Sequence, residues 1–168
     1  MLNRVLLKLL FVTAVFSLFI NSSFSQPVLP QRAITVTATQ GIHFGTLCLN
    51  GTSGGSVTVG YDGNRTSSNI YLSAIAPVAQ PAIFDIKLCE GRNVIITYSP
   101  TATLYGSNGG TFTMDIGPTE KGVSGSSFPV NGDCNFITTL RVGGTLHIPD
   151  YSPAGVYTGS FDITFEQE

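Results

Sequence analysis

The sequence predicts an all-β protein, an antiparallel immunoglobulin-like sandwich of about 8–10 strands. Three observations carry that prediction. Short runs alternating apolar with hydroxylated residues recur from residue 33 to the C-terminus. Gly, Pro, Asn and Asp punctuate them at turn positions. No stretch beyond the N-terminal segment has the 3.6-residue periodicity of an amphipathic helix, whereas period-two alternation places successive side chains on opposite faces of a strand.

The N-terminus has the form of an export signal. Arg4 and Lys8 mark a basic start, and Leu9 to Ile20 is apolar apart from Thr13 and Ser17. Asn21-Ser-Ser-Phe-Ser25 follows, with Ser23 and Ser25 in the small-x-small arrangement of a cleavage site. The apolar run falls short of the roughly 20 residues that span a bilayer. The expected organisation is a signal peptide over 1–25 and one domain over 26–168, with no membrane span in the mature chain. It is expected to work in the periplasm, at the cell surface or outside the cell. Of eight Lys and Arg, only Arg4 and Lys8 are lost with the signal, so ten acidic residues outnumber the remaining basic ones. Such a chain has no basic patch for nucleic acid or anionic lipid. Charge is only 11% of the sequence, and Gly, Ser and Thr take its place, as suits outer faces of hydroxylated strands.

Taken in order, Ala33–Ala38 is a strand with Ile34, Val36 and Ala38 facing inward. Gln40-Gly41 interrupts it, and Ile42–Leu49 resumes in a shifted phase, as a bend or bulge at Gly allows. Val57, Val59 and Tyr61 mark a strand that ends at the turn dipeptide Asp62-Gly63. Ile70–Leu72 is a short strand, and Ala76–Pro81 is a connection bounded by prolines. Phe84, Ile86 and Leu88 alternate with Asp85 and Lys87, and Val94–Tyr98 is rich in β-branched residues, so the two read as a hairpin. After Leu104-Tyr105, Phe112, Met114 and Ile116 share one face of the next strand. Residues 117–135 form the longest polar stretch, with Phe128 and Val130 suggesting one brief extended piece. Leu140, Val142, Leu146 and Ile148 share the inner parity of Thr138–Ile148, with Arg141 and His147 opposite. A Pro- and Gly-rich turn leads to Gly155–Glu168, where Tyr157, Phe161, Ile163 and Phe165 alternate with polar residues. These last two strands are expected to form the closing hairpin. No repeat of 20–50 residues is present.

Catalytic chemistry is expected to be absent. His43 and His147 are the only histidines and have no ligand spacing. Asp62-Gly-Asn64 and Asp85 lack the dense carboxylates of a calcium loop and read as turn and strand positions. No serine lies in Gly-x-Ser-x-Gly; Gly122-Val-Ser-Gly-Ser126 misses that spacing by one position. Gly51-Thr-Ser-Gly-Gly55 and Gly106-Ser-Asn-Gly-Gly110 open no helix and carry no Lys, so they are connections rather than phosphate cradles. No cofactor or metal is expected. There is no Trp, and Tyr71, Tyr105 and Tyr151 are the rings expected at the surface, where a glycan-binding module would need them.

Cys48, Cys89 and Cys134 follow the signal. Two of the three are expected to pair in an oxidising compartment, with the pairing open among them. The third thiol is expected to be buried, as free cysteines commonly are; the alternative is a cross-link between two copies.

Several motifs in fixed order resemble a known family: Ile42-His-Phe-Gly45, Gly55-Ser-Val-Thr-Val59, Pro81-Ala-Ile-Phe-Asp85, Arg141-Val-Gly-Gly-Thr-Leu146 and Gly155-Val-Tyr-Thr-Gly-Ser-Phe161. Together they resemble the bacterial secreted family catalogued as domain of unknown function 4402, grouped with pilin-like adhesins. The resemblance implies an immunoglobulin-like sandwich, an envelope or surface location and no enzymatic activity. A partial likeness to subunits of chaperone–usher pili rests on Gly155, fourteen residues from the terminus. Gln167 stands where those subunits carry an aromatic, and the short extension Gln26–Ala33 contains two prolines, which pair poorly in a ladder. If strands are exchanged between subunits, Ile34–Ala38 would be the donor. The expected function is an exported structural or adhesive domain that associates with itself or a protein partner through edge strands. The assembly residues would be Ile34, Val36, Ala38, Tyr157, Phe161, Ile163 and Phe165. The alternative is an envelope module that binds a surface glycan.

Overall fold

A computed structural model describes residues 34–89 and 92–168; the expected signal peptide and the extension up to residue 33 lie outside the described residues. Strand is the only regular structure among them, in thirteen segments. The excess over the expected number comes from the division of the expected terminal strand in two and from short polar segments that leave no alternation to read. Arg65–Ser68 is the main example, exposed at three of its four positions.

The organising strand is β11 (Thr138–Ile148), the longest, with Leu140, Val142, Leu146 and Ile148 buried. One of its edges takes β6 (Ala82–Leu88) along Thr138–Val142 and then β3 (Gly55–Val59) along Gly144–Ile148. Its other edge takes β9 (Thr111–Thr119). The large sheet continues outward through β1 (Ile34–Gln40) beside β6 and β4 (Arg65–Ser68) beside β3. At its far side, β8 (Thr101–Gly106) pairs with β9 and then with β12 (Tyr157–Thr158). A second sheet holds β10 (Ser127–Pro129), β7 (Asn93–Tyr98) and β13 (Ile163–Gln167), in that order. A two-stranded ribbon pairs β2 (Leu47–Leu49) with β5 (Ile70–Leu72). The inner faces meet in one apolar cluster that includes Val57, Ile86, Ile96 and Leu140, all fully buried. This is the all-β antiparallel sandwich that the alternation requires.

Two expected pairings are corrected. The terminal strand does not pair with β11, because β11 has both edges occupied by β6, β3 and β9. It runs instead along β8 and then β7, which follow each other in sequence with only Ser99 and Pro100 between them. Thr158 faces Tyr105 and Ile163 faces Tyr98. The partner strand therefore spends two more residues than the terminal strand over the same interval, which splits the expected single strand into β12 and β13. Nor do β6 and β7 form a hairpin: β6 lies between β1 and β11 in the large sheet, and β7 lies in the other. In addition, Ile42–Leu49 is strand only at Leu47–Leu49, with an isolated bridge at His43.

Cys89, just after β6, is bonded to Cys134. By constraining the unfolded chain, a cross-link over such a loop typically contributes about 2–4 kcal/mol. Tyr98 at the end of β7 reaches β9, where a side chain at Gly117 would lie 2.6 Å from its hydroxyl; Gly117 also has a positive φ of 88°. Burial pushes the Tyr98 phenol above its ordinary value, with a hydrogen bond at Ser124 pulling the other way. The folded protein thus holds this proton more tightly than the unfolded chain. Stability should be unaffected below about pH 10, the phenol's unperturbed value, and fall above it as the unfolded chain ionises first. Denaturant titrations from pH 8 to 11 should show this loss, and Tyr98→Phe should reduce it.

Candidate functional site

The residues expected to serve assembly divide between three places. Ile34, Val36 and Ala38 lie on β1, which among the described residues pairs on one edge, with β6. Phe161, Ile163 and Phe165 lie in and just before β13, which among the described residues pairs on one edge, with β7. Tyr157 belongs with neither: its ring stacks on Phe112 at 3.6 Å and its hydroxyl donates to Pro153 O at 2.8 Å, fixing the turn before β12.

The first two groups face each other across the sandwich through Phe84 of β6. Its ring centroid lies 6.4 Å from that of Phe161 and 5.9 Å from that of Phe165, edge-on and tilted, as aromatic quadrupoles favour. β13 therefore covers β6. The contact of Tyr98 with Gly117 puts β7 over the β9 side of the large sheet, so the free edge of β13 opens on the side of β1. The large sheet extends one strand farther than the sheet facing it. Ile34, Val36, Phe84, Ile163 and Phe165 are accordingly only half-buried there, in contrast to Ile86 and Ile96 beside them. Among the described residues no strand fills the place next to β13 and over β1.

One member departs from expectation. Ala38 is exposed, although its register with Phe84 keeps it on the parity of Ile34 and Val36; the register slips only beyond it, between Ala38 and Gln40. Phe84, which links both edges, sits on a strand whose inward parity is plain in the sequence. Nothing local marks it as the bridge, since that depends on strands far away in the chain. Gln167 turns inward at the end of β13, where its Nε2 is sealed from solvent with no hydrogen-bond partner among the described residues. Glu168 secures the strand end, accepting from Asn93 Nδ2 at 3.1 Å and Ser127 Oγ at 2.9 Å.

The polar residues singled out from the sequence are engaged separately. His43 stands at a bend, its Nδ1 accepting from Gly45 N–H at 2.7 Å. His147 pairs with Asp115 at 2.7 Å on the outer face of the large sheet. Asp62 caps its own turn through Asn64 N–H, and Asp85 accepts from Thr139 Oγ1. Ser124 donates to Tyr98 O and accepts from Tyr98 N–H, standing in for a ladder partner. Arg65, which the sequence does not single out, donates to Thr46 O at 2.9 Å and Ser73 O at 3.2 Å, tying two loops together. Partial burial lowers its pKa below the usual guanidinium value. Among the described residues no group of three or more His, Cys, Asp or Glu converges as a metal site. Tyr71, Tyr105 and Tyr151 are all exposed, on β5, on β8 and in the turn before β12.

The profile of the family described as Domain of unknown function (DUF4402) matches residues 34–166. The chain belongs to this family. The matched span of the DUF4402 domain runs from the first residue of β1 almost to the end of β13, so both open edges belong to the family's domain. No curated protein and no solved structure matches the chain.

The third cysteine corrects a further expectation. Cys48 is exposed, because the flanking Leu47 and Leu49 turn toward the core and period two puts Cys48 on the outer face, opposite Tyr71. The native protein should therefore react with one equivalent of an aromatic disulfide reagent, and Cys48→Ser with none. Reaction of further thiols before unfolding would contradict the Cys89–Cys134 pairing.

Proposed function

We propose that this DUF4402 domain is an exported, non-enzymatic structural or adhesive subunit that associates through its open sandwich edge, in the manner of a pilus or surface-polymer subunit. One observation carries the reading: two strand edges without partners among the described residues flank a half-buried aromatic row at Phe84, Phe161 and Phe165. An unpaired edge offers a row of backbone donors and acceptors to another strand, and natural proteins usually blunt such edges with charge or proline. Neither β1 nor β13 contains Pro or Lys, and Glu166 is the only charged residue in the two. A strand added there would gain backbone hydrogen bonds and cover apolar surface in the same step. The leader pattern of the sequence and the Cys89–Cys134 disulfide support an oxidising compartment. The separate engagement of the histidines and acids supports a role without catalysis.

Gel filtration and electron microscopy of the mature protein over a range of concentrations test the proposal. Association that rises with concentration is expected. Placing a lysine on each edge at outward positions, Thr37→Lys with Thr164→Lys, should shift the protein toward monomer with little change in Tm. A strictly monomeric wild type at high concentration, binding neither itself nor a surface, would sink the proposal.

A further inference from the structure

The outer face of the large sheet carries a second feature, distinct from the open edge. Strand registers align two rows of outward side chains across five strands. The first row runs Thr103, Thr113, His147, Ser56, Ser68 across β8, β9, β11, β3 and β4. The second, one pleat away, runs Thr101, Asp115, Thr145, Thr58, Thr66 across the same strands. Strands lie about 4.8 Å apart, so each row is roughly 19 Å long and the two are roughly 7 Å apart. Eight of the ten positions are hydroxyls. The remaining two, His147 and Asp115, bond each other at 2.7 Å in the middle of the field.

β-Propensity alone accounts for threonine on a strand, but not for how the outer face is divided. Toward β1 the same sheet displays Asp85, Lys87 and Arg141, and Arg141 is paired with Glu120. From β11 to β4 and β8 there is no lysine, arginine or aliphatic side chain in either row, and the one acid is committed to the one imidazole. That composition discriminates between partners. An apolar partner would find nothing to bury against. A polyanion would find no cations, and a polycation no free carboxylate. What matches is a neutral ligand dense in mixed donors and acceptors, since each Ser or Thr hydroxyl can rotate to give or accept a hydrogen bond. Part of the field is already ordered: Thr58 Oγ1 and Thr145 Oγ1 are 2.9 Å apart, which lowers the entropy lost on binding. At the margin stands Tyr105, two residues beyond Thr103 on the outward face of β8 and 65% exposed. A ring standing out of a polar surface can stack on the C–H face of a pyranose while the hydroxyls around it hydrogen-bond.

We infer that this hydroxyl field, bounded by Tyr105, is a docking surface for an extended neutral polysaccharide. It is independent of the edge-strand proposal and uses none of the same side chains.

Native electrophoresis of the protein in gels containing hydroxyethyl cellulose, with dextran sulfate gels as the charged counterpart, tests the inference. Retardation in the neutral glucan and not in the sulfated one is expected. Tyr105→Ala and the shape-conserving double substitution Thr103→Val with Thr113→Val should each weaken the retardation at least tenfold, with Tm unchanged. The edge variant Thr37→Lys with Thr164→Lys should bind like wild type, which separates failure of this inference from failure of the assembly proposal. No retardation by the neutral glucan, retardation by the sulfated polymer alone, or retardation that survives both face variants would overturn it. So would self-association abolished by the face variants without glucan binding, because the field would then serve a second copy.

Discussion

The structure depends on the backbone hydrogen bonding of β11 along both edges. A strand held on both sides and buried on its inner face can be placed only where its whole apolar parity is covered. Leu140, Val142, Leu146 and Ile148 meet that condition. Gly143 and Gly144 make the double pairing possible where one edge passes from β6 to β3. A Cβ at Gly143 would lie 2.6 Å from Val59 O, and one at Gly144 2.9 Å from Asp115 O, so a side chain at either position would push a neighbouring strand away.

Because β11 has no free edge, the C-terminal strand must find its partner elsewhere, and the consequence reaches the proposed function. The segment 93–106 passes from one sheet to the other, and the terminal strand follows it on the same side, first as β12 and then as β13. This carries Phe161 and Phe165 onto Phe84 and leaves β13 as the margin of the smaller sheet. Had the expected closing hairpin formed, the terminal strand would have lain within the large sheet, and the facing sheet would have ended at β7. The half-buried aromatic row and the open edge thus share a cause with the central pairing.

Which face each residue occupies was largely legible in the sequence. The inward sets of β9 and β11, the brief strand at Phe128, the turn at Asp62-Gly63 and the alternation of the terminal strand all appear as expected, because period two is a local property of the chain. Pairing was not legible. Whether β13 meets β7 or β11 depends on which edges are already filled by strands distant in sequence, and no local pattern records that. The same distinction explains the site. Phe84, Phe161 and Phe165 each read as inward, but their meeting across the two sheets follows only from topology. β4 was missed because Arg65-Thr-Ser-Ser68 is polar on both faces. Cys48 was misplaced because a general preference for burying thiols yields to the parity set by Leu47 and Leu49.

Hydrogen exchange of backbone amides, residue by residue in dilute and concentrated protein, tests the central claim most directly. Protection should be greatest in the strands bonded on two edges, β11 and β7 among them. The outward-directed amides of β1 and β13 should exchange quickly in the dilute protein and become protected as concentration rises. Amides on the outer edges of β1 and β13 that are as slow as those of β11 in dilute monomer, and unchanged on concentration, would contradict the account.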